Sequence, residues 1–189
     1  MTNLTLPCLS NNSMRTINYK HISDAIEHYT RLGYEYIEAP WIVNFLAVST
    51  TKPEKSKFFY ISHVGHLVGS GEQSFIEIRK KLEKDKKYIC VTPCFRDDDY
   101  DKYHFPYFLK AELIHAFPKT KLDEHNMFLD ALNFFKKYAE PYSVDTDIGK
   151  DIMINGLEVG SYGYRSMSDF DWIYGTGVAE PRLSQSLKN

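Results

Sequence analysis

The dipeptide Asn155-Gly156 constrains this chain more tightly than any other feature. Both residue types accept positive φ, so Asp151 to Val159 reads as a hairpin turning on them. Tyr88 to Phe95 and Phe105 to Ile114 read as two further strands, with the polar loop Asp99 to His104 between them. Tyr34 to Val43 is rich in aromatic and β-branched residues and reads as a strand entering a turn at Pro40; Phe58 to Ser62 reads as another. Asp24 to Leu32 reads as a helix with Ala25, Ile26, Tyr29 and Leu32 on one face, an Asp24/Glu27 capping box and a stop at Gly33. Glu72 to Lys84 turns Phe75, Ile78 and Leu82 inward. Asp123 to Glu140 is the longest helix, lined by Met127, Phe128, Ala131, Leu132, Phe135 and Tyr138 and stopped by Pro141. A glycine-rich turn at Gly175 to Gly177 leads into a short helix near Pro181. Helices interspersed among hairpin-joined strands define an α+β fold, an antiparallel β-sheet flanked by helices.

The 189 residues fit one domain, and 43% apolar residues can fill its core. A formal net charge of −2 confines any RNA contact to a local patch. No signal peptide and no apolar run long enough for a membrane span is present, so a cytoplasmic protein with no membrane partner is expected. Cys8, Cys90 and Cys94 fit reduced thiols there.

Chemistry-bearing residues gather in four places. The run Cys94-Phe95-Arg96-Asp97-Asp98-Asp99-Tyr100-Asp101 is followed by His104, Phe108, Lys110 and Glu112. Side chains two apart on a strand share a face, so Phe108, Lys110 and Glu112 lie together and Leu109, Ala111 and Leu113 lie opposite. Such a strand pair offers an arginine fork for phosphate and a ring for a flat base; it also reads as a solvated acidic loop. Gly156 to Arg165 carries Glu158, an oxygen ligand for Mg²⁺ if it faces inward and otherwise an exposed glutamate. Gly175 to Arg182 lets backbone approach a ligand and starts a helix whose free N–H groups suit an anion. Glu72 stands at a helix N-terminus, where capping alone accounts for it. His63 and His66, or Cys90 and Cys94, lack the second pair that a tetrahedral zinc site needs, and the cysteines read as core thiols.

In this order, the clusters resemble the class II aminoacyl-tRNA synthetases over nearly the whole chain. Gly33 to Val43 with Pro40-Trp41 resembles the family's first motif, which packs in the dimer interface. Ser70-Gly71-Glu72-Gln73 is similar to the loop whose glutamate holds the substrate's amino group. Cys94 to Asp98 with His104 and Phe108 resembles the second motif. The resemblance implies that Arg96 binds the α-phosphate and the acyl carboxylate, Asp98 reads adenine, His104 approaches the terminal phosphates and Phe108 stacks on the base. Glu158, Ser161 and Arg165 match the strand before the third motif, where the acid holds Mg²⁺ and ATP; Gly175, Gly177, Ala179 and Arg182 match the third motif, with Arg182 on the γ-phosphate. Ala179 stands where the family frequently has glycine, and Pro181 precedes the arginine.

The function so implied is ATP-dependent activation of an amino acid as its adenylate. Arg96, Glu158 and Arg182 would be catalytic, and Glu72, Lys110, Glu112 and Arg165 would line the amino-acid site. A substrate ammonium would meet Glu72 and Glu112, and the absence of a nearby apolar run favours a small or polar side chain. The acceptor is open: tRNA, a carrier protein or a small amine. The chain reads as a catalytic core without anticodon-binding or editing domains, forming a homodimer through Asp24 to Pro40, with Trp41 and Tyr34 to Tyr36 as interface area. An amide ligase of the asparagine synthetase A type, or a non-catalytic dimerising module of the same fold, are the alternatives.

Overall fold

The computed structural model describes residues 16–52, 59–97, 101–120 and 122–189. In chain order the elements are α1 (Tyr19–Arg31), β1 (Glu35–Tyr36), β2 (Ile42–Val43), α2 (Phe45–Thr51), β3 (Tyr60–Ile61), β4 (Gly65–Leu67) and α3 (Gly71–Ile78). Then come β5 (Lys86–Phe95), β6 (Tyr107–Ala116), α4 (Leu122–Phe135), β7 (Tyr142–Thr146), β8 (Gly149–Ile154), β9 (Leu157–Met167), β10 (Phe170–Glu180) and α5 (Arg182–Ser186). Seven strands form one sheet in the order β1-β5-β6-β10-β9-β8-β7. Every neighbouring pair is antiparallel except β1 with β5. A second sheet of three strands has the order β2-β4-β3.

The expected hairpin is present. Asn155 and Gly156 have φ of 49° and 79°, and they join β8 to β9. The sheet's two faces are covered separately. Ile89, Ala111, Leu113, Ile173 and Val178 meet Tyr29 of α1 and Met127, Ala131 and Phe134 of α4. Tyr88, Cys90, Ile114, Ala116 and Trp172 meet Phe75 and Ile76 of α3 and Ala47 and Val48 of α2. Burial pushes the Cys90 and Cys94 thiols up, so both behave as core residues, as expected.

Several boundaries differ from expectation. The first helix starts at Tyr19, because the Asn18 side chain accepts the Lys20 N–H at 3.1 Å. Asp24 therefore lies inside the helix, bonded to Lys20 Nζ at 2.8 Å, and is no cap. The helix from the Glu72 region ends at Ile78 and tightens into a 3₁₀ turn over Arg79–Lys81. The long helix stops at Phe135, short of Pro141. The stretch from Tyr34 to Val43 divides into β1 and β2, which join different sheets on either side of Pro40. Tyr34 is 2% exposed and belongs to the core, so it offers no interface area.

The main correction concerns Gly175 to Gly177, which forms no turn and lies inside β10. The glycines there make room for neighbours. A Cβ on Gly175 would stand 2.6 Å from Tyr162 Cδ1 and 2.9 Å from Met127 Sδ. Tyr29 donates its hydroxyl to the Gly177 carbonyl at 3.1 Å. Gly177 is also the extra residue of a β-bulge, since Thr176 pairs with Glu112 and Val178 with Ala111. The bulge inverts the alternation of β10. Thr176 and Ala179 line the cleft described below, while Val178 joins the core. Among the described residues no helix is long and apolar enough to cross a membrane.

Gly175→Ala is expected to lower the unfolding free energy by about 2 kcal/mol through overpacking. Urea unfolding reads this as a lower midpoint at unchanged slope. A variant as stable as the parent would show that Tyr162 and Met127 give way freely.

Candidate active site

Two neighbouring chambers open on the sheet face that carries Phe108, Lys110 and Glu112, and both are walled by Arg96 and Lys110. The first has a volume of about 100 Å³ and is lined by His104, Phe108, Glu158 and Arg182. The end of β5 delivers Arg96, whose backbone N–H donates to Pro106 at 2.9 Å and whose Nε donates to the Gly69 carbonyl at 3.0 Å. Its guanidinium lies 5.0 Å from the Phe108 ring centroid. Phe108 is held opposite Cys94 by the β5–β6 register.

The loop before β6 is built on Asp101, which accepts from the N–H groups of Tyr103 and His104 and from His104 Nδ1. The imidazole, followed by the Tyr103 N–H, holds the Asp101 carboxyl down at about 2. Arg182 stands at the start of α5, which Glu180 anchors. The buried Glu180 carboxylate accepts from Ser184 Oγ at 2.8 Å and from Asn18 N–H at 3.3 Å, and pairs with His21 Nδ1 at 2.7 Å. Glu158 is exposed at the rim, two residues after the Asn155-Gly156 turn. Among the described residues Glu158 and Arg182 make no ion pair, so both remain open to a ligand.

The second chamber, about 210 Å³, contains two buried carboxylates that are already matched. Glu72, 4% exposed, accepts from Arg165 Nη1 at 2.5 Å and from Trp172 Nε1 at 2.7 Å. Burial pushes its carboxyl above the ordinary glutamate range, and Arg165 pulls it partly back. Glu112, 1% exposed, pairs with Lys110 at 2.9 Å and accepts from Ser70 Oγ at 2.7 Å. Arg165 lies 4.3 Å above the Tyr174 ring.

Most of the expected site residues are thus brought together, with three corrections. Ser161 lines the second chamber and not the first. Gly177 lines neither chamber, because the bulge turns it toward Tyr29. Glu72 is committed to Arg165 and Trp172 instead of standing free for an ammonium. Asp98 lies outside the described residues. The second chamber also has apolar walls from Phe59, Leu67 and Ile148, which come from segments remote in sequence from Glu72. Trp172 and Tyr174 also face this chamber's carboxylate and arginine, and their spacing of two on one strand is the only local sign of it.

Glu72 links stability to pH. A carboxyl raised on folding holds its proton longer in the native state, so its contribution is largest below the ordinary glutamate value and falls as pH rises through the raised one. Removing Arg165 raises Glu72 further. Arg165→Gln is therefore expected to lose stability more steeply than the parent above the ordinary glutamate range, reaching about 3 kcal/mol near neutrality. Urea unfolding across this range is the measurement, and parallel profiles would show that the pair is not coupled to folding.

A scan against models of protein families finds no match, and no curated protein matches the chain. Solved structures do. The chain is similar to a pyrrolysyl-tRNA synthetase from Desulfitobacterium hafniense at TM-score 0.66 and 15% identity, covering 89% of this chain and 67% of that one. A second structure of that enzyme gives TM-score 0.72 at 16% identity, covering 88% and 67%. Seryl-tRNA synthetase from Pyrococcus horikoshii, solved with ATP, gives 0.65 at 14%, covering 88% of this chain and 48% of that one. The helix-flanked antiparallel sheet is therefore the class II aminoacyl-tRNA synthetase-like fold.

Proposed function

We propose that this chain binds ATP in the first chamber, activates an amino acid from the second as its adenylate, and passes the acyl group to an acceptor. The observation that carries this reading is the shared wall, since Arg96 and Lys110 line both chambers. Adenylation needs the α-phosphorus and an attacking carboxylate to meet, and two cations between them suit that meeting. Phe108 supplies a ring for the base, and Arg182 and His104 face the space for the terminal phosphates. The carboxylate oxygen attacks the α-phosphorus in line, the bond to the bridging oxygen breaks, and pyrophosphate leaves toward Arg182. Arg96 is aimed at the charge that develops on the phosphorus oxygens.

Mg²⁺ fits this donor set. It commonly takes one or two carboxylates together with phosphate oxygens, and Glu158 offers a carboxylate on the rim of the first chamber. When bound, the ion would supply positive charge to the phosphates.

Pyrophosphate exchange across the common amino acids is the direct test. Arg96→Ala and Arg182→Ala are each expected to reduce exchange more than about a hundredfold while keeping the fold, the effect of losing one group that stabilises transition-state charge. Wild-type exchange in both variants would overturn the ATP assignment.

The same reading extends to assembly. Trp41 before β2, Phe45 on α2 and Tyr60 on β3 are exposed, and Phe45 and Tyr60 both meet the His66 ring, an aromatic area suited to a second copy of the chain. Light scattering at micromolar concentration is expected to report a dimer that Trp41→Glu weakens. Monomer alone would count against a symmetric interface there.

A further inference from the structure

We propose that Gln185, on the helix at the chain's end, reads the base of the nucleotide in the first chamber by accepting a hydrogen bond from the 6-amino group of adenine; this deepens, and rests on, the adenylation reading above. Three observations place the residue. Arg182 and Gln185 stand three apart on α5 and both line that chamber, while Leu183 between them joins the core. Gln185 Nε2 donates to the Lys102 carbonyl at 3.1 Å, which ties α5 to the loop before β6 and settles which way round the amide lies. Its Oε1 is buried and, among the described residues, accepts no hydrogen bond. A buried acceptor without a donor is costly, and a ligand that brings a donor removes that cost.

The donor follows from what shares the chamber. Phe108 offers its ring to a flat base there. A purine with an amino group at position 6 brings a donor on its edge, whereas one with an oxygen at that position brings an acceptor. The amide cannot turn over to suit the second kind. Turning would set Oε1 against the Lys102 carbonyl and lose the bond from Nε2. That bond is what makes Gln185 selective, since a freely turning amide would accept either base. Arg182 and Gln185 lie one helical turn apart, so a nucleotide that meets both folds its terminal phosphate back toward its base.

The test is calorimetric binding of ATP, GTP, 2′-deoxy-ATP and purine riboside triphosphate, which has only hydrogen at position 6, together with pyrophosphate exchange across the common amino acids. The parent is expected to bind ATP at least about tenfold more tightly than GTP or purine riboside triphosphate, the effect of leaving one buried acceptor unpaired. Gln185→Met is expected to bring ATP and purine riboside triphosphate within about twofold of each other, and Gln185→Glu, which keeps an acceptor there, to retain the preference. A merely structural role for Gln185 would weaken both nucleotides alike and would overturn the proposal. So would a parent that binds ATP and purine riboside triphosphate equally, a comparison that needs no variant to fold. A loss confined to 2′-deoxy-ATP and erased by Gln185→Met would assign Oε1 to the ribose and overturn the base reading, with adenylation left standing. Base preference that needs Gln185, without exchange for any amino acid, would uphold the proposal and sink adenylation. No binding of any of the four nucleotides would overturn both.

Discussion

The period of two along β6 is the constraint on which the rest depends. Leu109, Ala111 and Leu113 point to the layer of α1 and α4, which frees Phe108, Lys110 and Glu112 to face the cleft. The same face becomes apolar further on, where Ile114 and Ala116 pack with Trp172 under α3. One strand thus divides its second face into a polar end for a ligand and a dry end for the core. Pairing on both sides, with β5 from Lys86 to Phe95 and with β10 from Trp172 to Glu180, fixes these side chains in place. A site built on central strands is held more rigidly than one built on loops.

Electrostatics completes the arrangement. Two carboxylates with almost no exposure are costly unless matched, and each is matched by a cation and a neutral donor. These contacts also join separate elements. Glu72 ties the start of α3 to Arg165 of β9 and Trp172 of β10, and Glu112 ties β6 to Ser70 before α3. The helix therefore cannot shift without exposing unpaired charge in a partly dry chamber.

Local pattern made much of this legible in the sequence. Alternation on β6 and the Asn155-Gly156 turn were decisive because each depends only on neighbours in the chain. The polar residues around Arg96 and Phe108 could be placed together because a hairpin joins them. What was not legible arises from contacts between distant segments. Glu72 looked available because nothing near it in sequence announces Trp172 or Arg165. Gly175 and Gly177 looked like a turn because glycine is the usual turn residue, whereas here it admits Tyr162 and Tyr29 against a strand. The apolar pattern of α1 begins beyond Asn18, so the local sequence does not mark that residue as the helix cap.

The extra residue at Gly177 decides more than the path of a strand. Drawing Gly177 into the ladder opposite Ala111 would close the bulge and shift every residue beyond it by one place. Ala179 would then exchange faces with Glu180. A carboxylate now enclosed beside His21 would turn into the chamber that holds Arg182, and the helix at the chain's end would lose its anchor. Closing the bulge would thus reverse the sign of one wall of the cleft, so the extra residue is as fixed a part of the site as the side chains around it.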